Sequence, residues 1–145
     1  MSELRSKYKI LKEHNLFIVV HNGTLNLNSM MDFIQTINSD PEFTPKLNHI
    51  VDLNNVLFEL TQEDMNNYVN HLESNSKTQG DKRIALITST PNQVTYSTLF
   101  KLAKKELQPL QNIQIFSTTQ KAFDFIGLKN ISFEEVSQTL KMLNK

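Results

Sequence analysis

Apolar positions along this chain change period several times, and each change marks an element. Tyr8 to Glu13 and Leu16 to Asn22 carry β-branched and aromatic residues at strand density, with only His14-Asn15 between them. Asparagine tolerates the left-handed backbone of a tight turn, so the pair reads as an opening hairpin, although its turn lacks the favoured Asn-Gly. Asn22-Gly23 ends the second strand. From Leu27 the period becomes helical, with Leu27, Met30, Met31, Ile34 and Ile37 on one face, until Ser39-Asp40-Pro41 stops it. Phe43, Pro45 and Leu47 then lead to Ile50-Val51-Asp52-Leu53, a short and almost wholly apolar strand that suits the centre of a sheet.

Beyond that strand the chain reads as a turn at Asn54-Asn55 and an apolar loop, Val56-Leu57-Phe58. A second helix starts near Thr61, placed to cap it three residues ahead of Asp64, and buries Met65, Tyr68, Val69 and Leu72. Ser74 to Asp81 reads as a solvated connection. Arg83 to Thr88 is another buried parallel strand, and Thr90-Pro91 opens a third helix through Tyr96, Leu99, Phe100, Ala103 and Leu107 to the stop at Pro109. Asn112 to Phe116 is the fifth strand. Ser117-Thr118-Thr119 caps a short helix with Ala122, Phe123 and Ile126, closed by Gly127, and a last helix begins at the Ser132/Glu135 capping box with Phe133, Val136, Leu140 and Leu143 on one face.

The order is β-β-α-β-α-β-α-β-α-α. Helical crossovers between strands three, four and five make parallel neighbours with right-handed connections, and the hairpin adds an antiparallel part. The expected fold is therefore α/β, a mixed five-stranded sheet with flanking helices. With 145 residues the chain is expected to form one domain, 1–145, with residues 1–7 as an N-terminal tail and 129–145 carrying the C-terminal helix. A domain of that size buries about 70% of its unfolded surface and needs no metal or disulfide to fold.

Composition narrows the chemistry. Fifteen Lys and Arg balance fifteen Asp and Glu, which removes the positive field a non-specific nucleic-acid binder needs. No cysteine is present, so disulfides, thiolate zinc sites and cysteine nucleophiles are excluded. No segment has the roughly 18 apolar residues of a membrane span, and the polar Met1 to Lys7 lacks the apolar core of a signal peptide; a cytoplasmic protein without an integral membrane segment is expected.

Ser39-Asp40-Pro41-Glu42-Phe43-Thr44-Pro45, then Ile50 to Leu53, Leu60-Thr61-Gln62-Glu63-Asp64, Arg83 to Ile87, and Ile115-Phe116 ahead of Ala122-Phe123-Asp124-Phe125-Ile126 follow in an order and spacing that resemble the bacterial SpoIIAA-like family. That family shares the STAS fold and is similar to CRAL-TRIO lipid-transfer domains. The resemblance runs from about Tyr8 to Leu128 and implies a STAS-like α/β sandwich. The anti-sigma-factor antagonists of this group are switched by phosphorylation of a Ser or Thr at the start of the helix after the third strand. Here that place holds Leu57-Phe58-Glu59-Leu60-Thr61, without the Asp-Ser-Ser/Thr-Gly pattern, and Thr61 is the nearby hydroxyl.

Parallel strands end on one edge, which should gather Asp52, Asn54, Asn55, Thr88, Ser89, Ser117 and Thr118. Open α/β sheets bind ligands at this carboxyl edge; the plainer reading is that these residues cap their own helices. Thr61 is a candidate phosphoacceptor, with N-capping as its ordinary role. His14, His21, His49 and His71 show no metal-ligand spacing. Lys101, Lys104 and Lys105 read as a solvated basic face. Met30, Met31, Leu99, Phe100 and Phe123 read as core, or alternatively as the lining of an apolar pocket.

Two functions follow. The first is a non-enzymatic STAS-like regulatory or interaction module docking a protein partner through an exposed Val56-Leu57-Phe58 and the second helix, with a homodimer compatible. The second is a small-molecule or lipid-binding protein holding a small apolar ligand in a pocket or at the carboxyl edge. No cofactor, metal site or catalytic constellation is indicated.

Overall fold

The structure is a computed structural model and describes residues 3–145. Five strands lie in the order in which they occur in the chain: β1 (Arg5–Leu11), β2 (Leu16–Leu25), β3 (Asn48–Phe58), β4 (Lys82–Ile87) and β5 (Gln111–Phe116). β1 pairs antiparallel with β2, and every other neighbour is parallel. The helices α1 (Leu27–Asn38), α2 (Gln62–Glu73) and α3 (Pro91–Leu107) are the crossovers, followed by α4 (Thr119–Ile126) and α5 (Phe133–Leu143). The expected order of elements is the observed one.

Because the order never reverses, right-handed crossovers set α1, α2 and α3 on the same face. Alternation in β2 supplies both faces. Phe17 and Val19 meet Ile34, Ile37, Phe43 and Leu72 on one side, and Leu16, Ile18 and Val20 meet Val136 and Leu140 of α5 on the other. Ala122 and Ile126 of α4 cover Ile50, Ala85 and Ile87 on that second side. A three-layer α/β/α stack results.

Several boundaries differ from the sequence reading. Arg5, Ser6 and Lys7, read as tail, are already in β1, paired with Asn22, His21 and Val20. β2 continues through Gly23 to Leu25. β3 does not stop at Leu53. Its pairing steps from Val20↔Asp52 to Asn22↔Asn55, so β3 spends one residue more than β2 and forms a bulge. Asp52 Oδ1 holds it by accepting the Asn54 N–H at 2.9 Å.

The extra residue reverses the strand's phase, so Val56 and Phe58 join Leu53 in the core under the helices. The expected exposed loop is thus a strand, and only Leu57, 45% exposed, meets water. Ser74 to Asp81 is likewise not merely solvated. It holds a 3-10 turn, Ser76–Thr78, with Thr78 buried and Lys77 Nζ donating to the carbonyls of Asn38 and Asp40.

Phe58 stacks on Tyr96 with ring centres 5.3 Å apart, whereas Leu57 points outward. Phe58→Ser is expected to cost about 3–5 kcal/mol and Leu57→Ser less than about 0.5 kcal/mol, a contrast that urea denaturation of the two variants measures.

His21 is buried against Phe33 and shares a 2.6 Å hydrogen bond with Ser6. Burial lowers its pKa to about 4 from 6.5. As pH falls through that window the unfolded chain binds a proton that the folded chain refuses. Stability contributed by neutral His21 is whole above pH 6.5 and is lost toward pH 4, by roughly 3 kcal/mol. Urea unfolding at pH 7 and pH 4.5 should show this loss, and His21→Leu should lose less.

Candidate functional site

At the carboxyl edge β4 ends at Ile87 opposite Asp52, and β3 goes on without it. Side chains from the start of α3 take the place of the missing strand. Gln93, buried, donates through Nε2 to the carbonyls of Asn54 and Val56 at 3.1 and 2.9 Å, while its Oε1 accepts from the N–H groups of Ser89 and Thr90. Asn92 accepts the Phe58 N–H at 2.9 Å and donates to the Phe58 carbonyl.

The structure therefore brings Asp52, Asn54 and Ser89 together, but ties their neighbourhood into the protein. Asn55 turns instead to Asn144 of the α5 end, Thr88 is buried with its N–H on Phe116, and Thr118 caps α4. A sheet whose strand order never reverses also has no switch-point crevice at this edge. Burial raises the Asp52 pKa, and the hydrogen bonds from Asn54 oppose the rise.

Thr61 sits in a full capping box with Asp64, its Oγ1 accepting one N–H and its own N–H donated to the Asp64 carboxylate, both at 3.0 Å. A phosphate added there would face Glu63 and Asp64 in the first turn of α2.

The open volume lies elsewhere. A cavity of about 140 Å³ runs between the sheet and the α1–α3 layer. Its walls are largely apolar and include Phe17, Val19, Leu53, Ile34, Met65 and Phe100. Met30 and Phe100, two of the residues with alternative core and pocket readings, line it; Phe123 packs on the opposite face.

Polar groups enter this cavity at the amino end of the parallel strands. His49, Lys82 and Gln111 each stand two residues before an inward apolar residue (Val51, Ile84 and Ile113), and Lys82 pairs in register with Gln111. From the helix side come Ser97 and Lys104, which share with Gln93 and Phe100 the stripe of α3 turned to the sheet. Three of these groups lack hydrogen-bond partners: His49 Nε2, Ser97 Oγ and Gln111 Oε1 are buried and unbonded. Gln111 Nε2 is already committed to the carbonyls of Thr78 and Gly80.

The lysines do not form the solvated face expected of them. Lys104 is 1% exposed and donates to Glu73 Oε2 at 2.9 Å, while Gln108 donates to Glu73 Oε1 at 2.8 Å. Burial works to raise the Glu73 pKa, but these hydrogen bonds and the Lys104 charge outweigh it and hold the carboxylate ionised. Lys101 bonds Gln114 of β5, and Lys105 is exposed. The α3 stripe is rotated from the apolar one expected: Leu107 is exposed because the helix turns Gln93, Ser97 and Lys104 inward.

Lys82 is 6% exposed, yet the ion pairs among the described residues are only Lys104–Glu73 and the surface pair His14–Glu13. Burial first, and the Lys104 charge second, lower its pKa to about 8. Burial, Lys82 and Lys104 together hold His49 well below the usual histidine range, so its imidazole is neutral. It packs edge-on to Phe17 at 5.0 Å.

Sequence reading fastened on the other end of the strands because capping residues cluster there. The signal for the amino end was a count of two back from each inward strand residue, landing on a polar side chain three times. Among the described residues no cluster of acidic or histidine side chains could hold a metal. No helix there is long and apolar enough to cross a membrane.

No family model matches the sequence, and no curated protein matches it. Among solved structures five chains match. One is an uncharacterized protein of the DUF3478 family with a SpoIIAA-like fold from Shewanella loihica PV-4, 13% identical, with a TM-score of 0.52. The match covers 87% of this chain and 98% of that one. This chain is an α/β protein of SpoIIAA-like fold. Likeness at that identity establishes architecture, and function has to be argued from the cavity.

Removing the unpaired ammonium should stabilise the protein. Lys82→Met is expected to be more stable than wild type at pH 7 by about 1–3 kcal/mol. Between pH 8 and 10.5 the unfolded chain holds a proton the folded chain has released, so wild-type stability rises and the advantage of the variant fades. Urea denaturation of both at pH 7 and pH 10 measures this.

Proposed function

We propose that this chain is a non-enzymatic binding module of the regulatory kind, and that it binds a small, largely apolar molecule between the sheet and the α1–α3 layer. The observation that carries the reading is the partly open, largely apolar cavity of about 140 Å³ whose lining includes Ser97 and Gln111, with Ser97 Oγ and Gln111 Oε1 buried and unpartnered. Protein interiors rarely leave voids of this size, and rarely leave buried polar atoms without partners. Few convergent polar groups in a mostly apolar pocket is the composition of a small-molecule site. A non-enzymatic role agrees with the state of the candidate groups: Ser97 Oγ has no base bonded to it, and the Asp52 carboxylate is engaged by the backbone of its own strand.

Of the apolar trio at the third-strand junction two residues are core, so partner docking there would rest on Leu57 alone. Ligand binding is the better supported reading. Native mass spectrometry of protein purified gently from its own cells should show a bound small mass, or the ligand-free chain should show a saturable rise in Tm with 1-hexanol. A chain that carries nothing and whose Tm does not respond to 1-hexanol would overturn the reading.

A further inference from the structure

We infer that the molecule held in this cavity is a small apolar monocarboxylate, its carboxylate seated at the amino end of the strands on Lys82 and His49 and its apolar body lying along Phe17, Val51 and Phe100. The inference rests on the cavity being a ligand site, as proposed above, and adds the charge of the ligand.

Charge arithmetic at that end of the cavity gives the argument. Lys104 is neutralised by Glu73 at 2.9 Å. Among the described residues no carboxylate lies within ion-pairing distance of Lys82, which is 6% exposed. A buried charge is ordinarily paired and hydrogen-bonded, because an unpaired one forfeits its hydration without recompense. Lys82, which also borders a shallow surface hollow with Asn48 and Arg83, is thus a mostly buried cation without a carboxylate partner beside the cavity, and one negative charge on a ligand would complete the pair.

The neighbouring groups fit an anion at this position. His49 Nε2 and Ser97 Oγ lack partners, and a neutral imidazole or a hydroxyl can each donate a hydrogen to a carboxylate. Gln111 Oε1, the third unpartnered atom, is an acceptor, and Lys82 is its neighbour across the β4–β5 ladder. Among the described residues no donor, Lys82 included, reaches Gln111 Oε1, and the three donors of the Lys82 ammonium remain available to an anion. A cationic ligand would meet Lys82 and Lys104, and a neutral one would leave Lys82 unpaired. A dianion such as a phosphate monoester would exceed the single charge available.

Volume limits the body of the ligand. A cavity of roughly 150 Å³ measured in comparable terms accommodates benzene, so about 140 Å³ suits a chain or ring of about six carbons.

The test uses the full chain and three probes with the same six-carbon body, hexanoate, 1-hexanol and hexylamine, at equal ionic strength and pH 7. Binding is followed by titration calorimetry and by ¹H–¹⁵N chemical-shift mapping. Hexanoate is expected to bind on the order of tenfold tighter than 1-hexanol, with hexylamine weakest and the largest shifts at Lys82, Gln111 and Ser97. Lys82→Met, expected to fold at least as stably as wild type, should lose the preference for hexanoate while keeping affinity for 1-hexanol. Lys82→Gln should behave in the same way. If 1-hexanol binds as well as hexanoate, or if Lys82→Met retains the preference, the anion assignment falls and the cavity reading stands. If wild type binds none of the probes, both fall together.

Discussion

β3 loses one of its two partners, β4, halfway along its length, and the rest of the structure depends on how that loss is made good. From Asn54 to Phe58 β3 keeps β2 on one side, but on the other side its backbone N–H and C=O groups have no strand beside them, and leaving them unbonded would cost more than the strand's apolar contacts return. Asn92 and Gln93 supply the bonds with side-chain amides. This fixes more than the edge of β3. It anchors the start of α3 above the sheet, and the anchored helix then carries Ser97, Phe100 and Lys104, at helical spacing from Gln93, over the inward faces of β3, β4 and β5. The same fastening closes the carboxyl edge of β3.

The two ends of the sheet thus differ in how their polar groups are used. At the carboxyl edge, hydrogen bonds consume the groups that sequence reading selected. At the amino end, the polar side chains sit in a mostly apolar wall and are only partly consumed. A purely apolar set at His49, Lys82, Ser97 and Gln111 would pack with fewer unmet bonds, so the local arrangement departs from what stability alone would choose. Such departures are expected where a protein binds something.

The elements themselves were legible because their signals were local. Thr61, Thr90 and Ser132 cap the helices they were expected to cap, and the left-handed Gly127 closes its helix; Asn15 is left-handed as expected, but it closes a 3-10 turn over Lys12–His14 where a two-residue turn after Glu13 was expected. What escaped was set by contacts distant in sequence. The bulge at Asn54 breaks the period-two pattern, so a continuous strand read as a strand, a turn and a loop. Lys104 and Gln93 are polar and read as solvent-facing, yet Glu73 from α2 and the free edge of β3 give them partners inside. Periodicity assigns polar residues to the surface by default, and no local pattern announces a partner that arrives from another helix. For the same reason the candidate edge was placed at the carboxyl end, where the capping residues cluster, and not beside the polar groups of the cavity.

That the spatial order of the strands equals their order in the chain has a consequence for how the molecule is made. Each strand after the first hairpin adds to an edge that is already present, and none must be inserted between two earlier ones, so the sheet can grow in step with synthesis. The two faces, however, mature at different times. The α1–α3 side is covered as each crossover forms, whereas Leu16, Ile18 and Val20 on the back of β2, among the earliest strand residues made, wait for Val136 and Leu140 of α5. A nascent chain therefore carries an uncovered apolar strip on β2 through most of its translation, until α5 arrives to cover it.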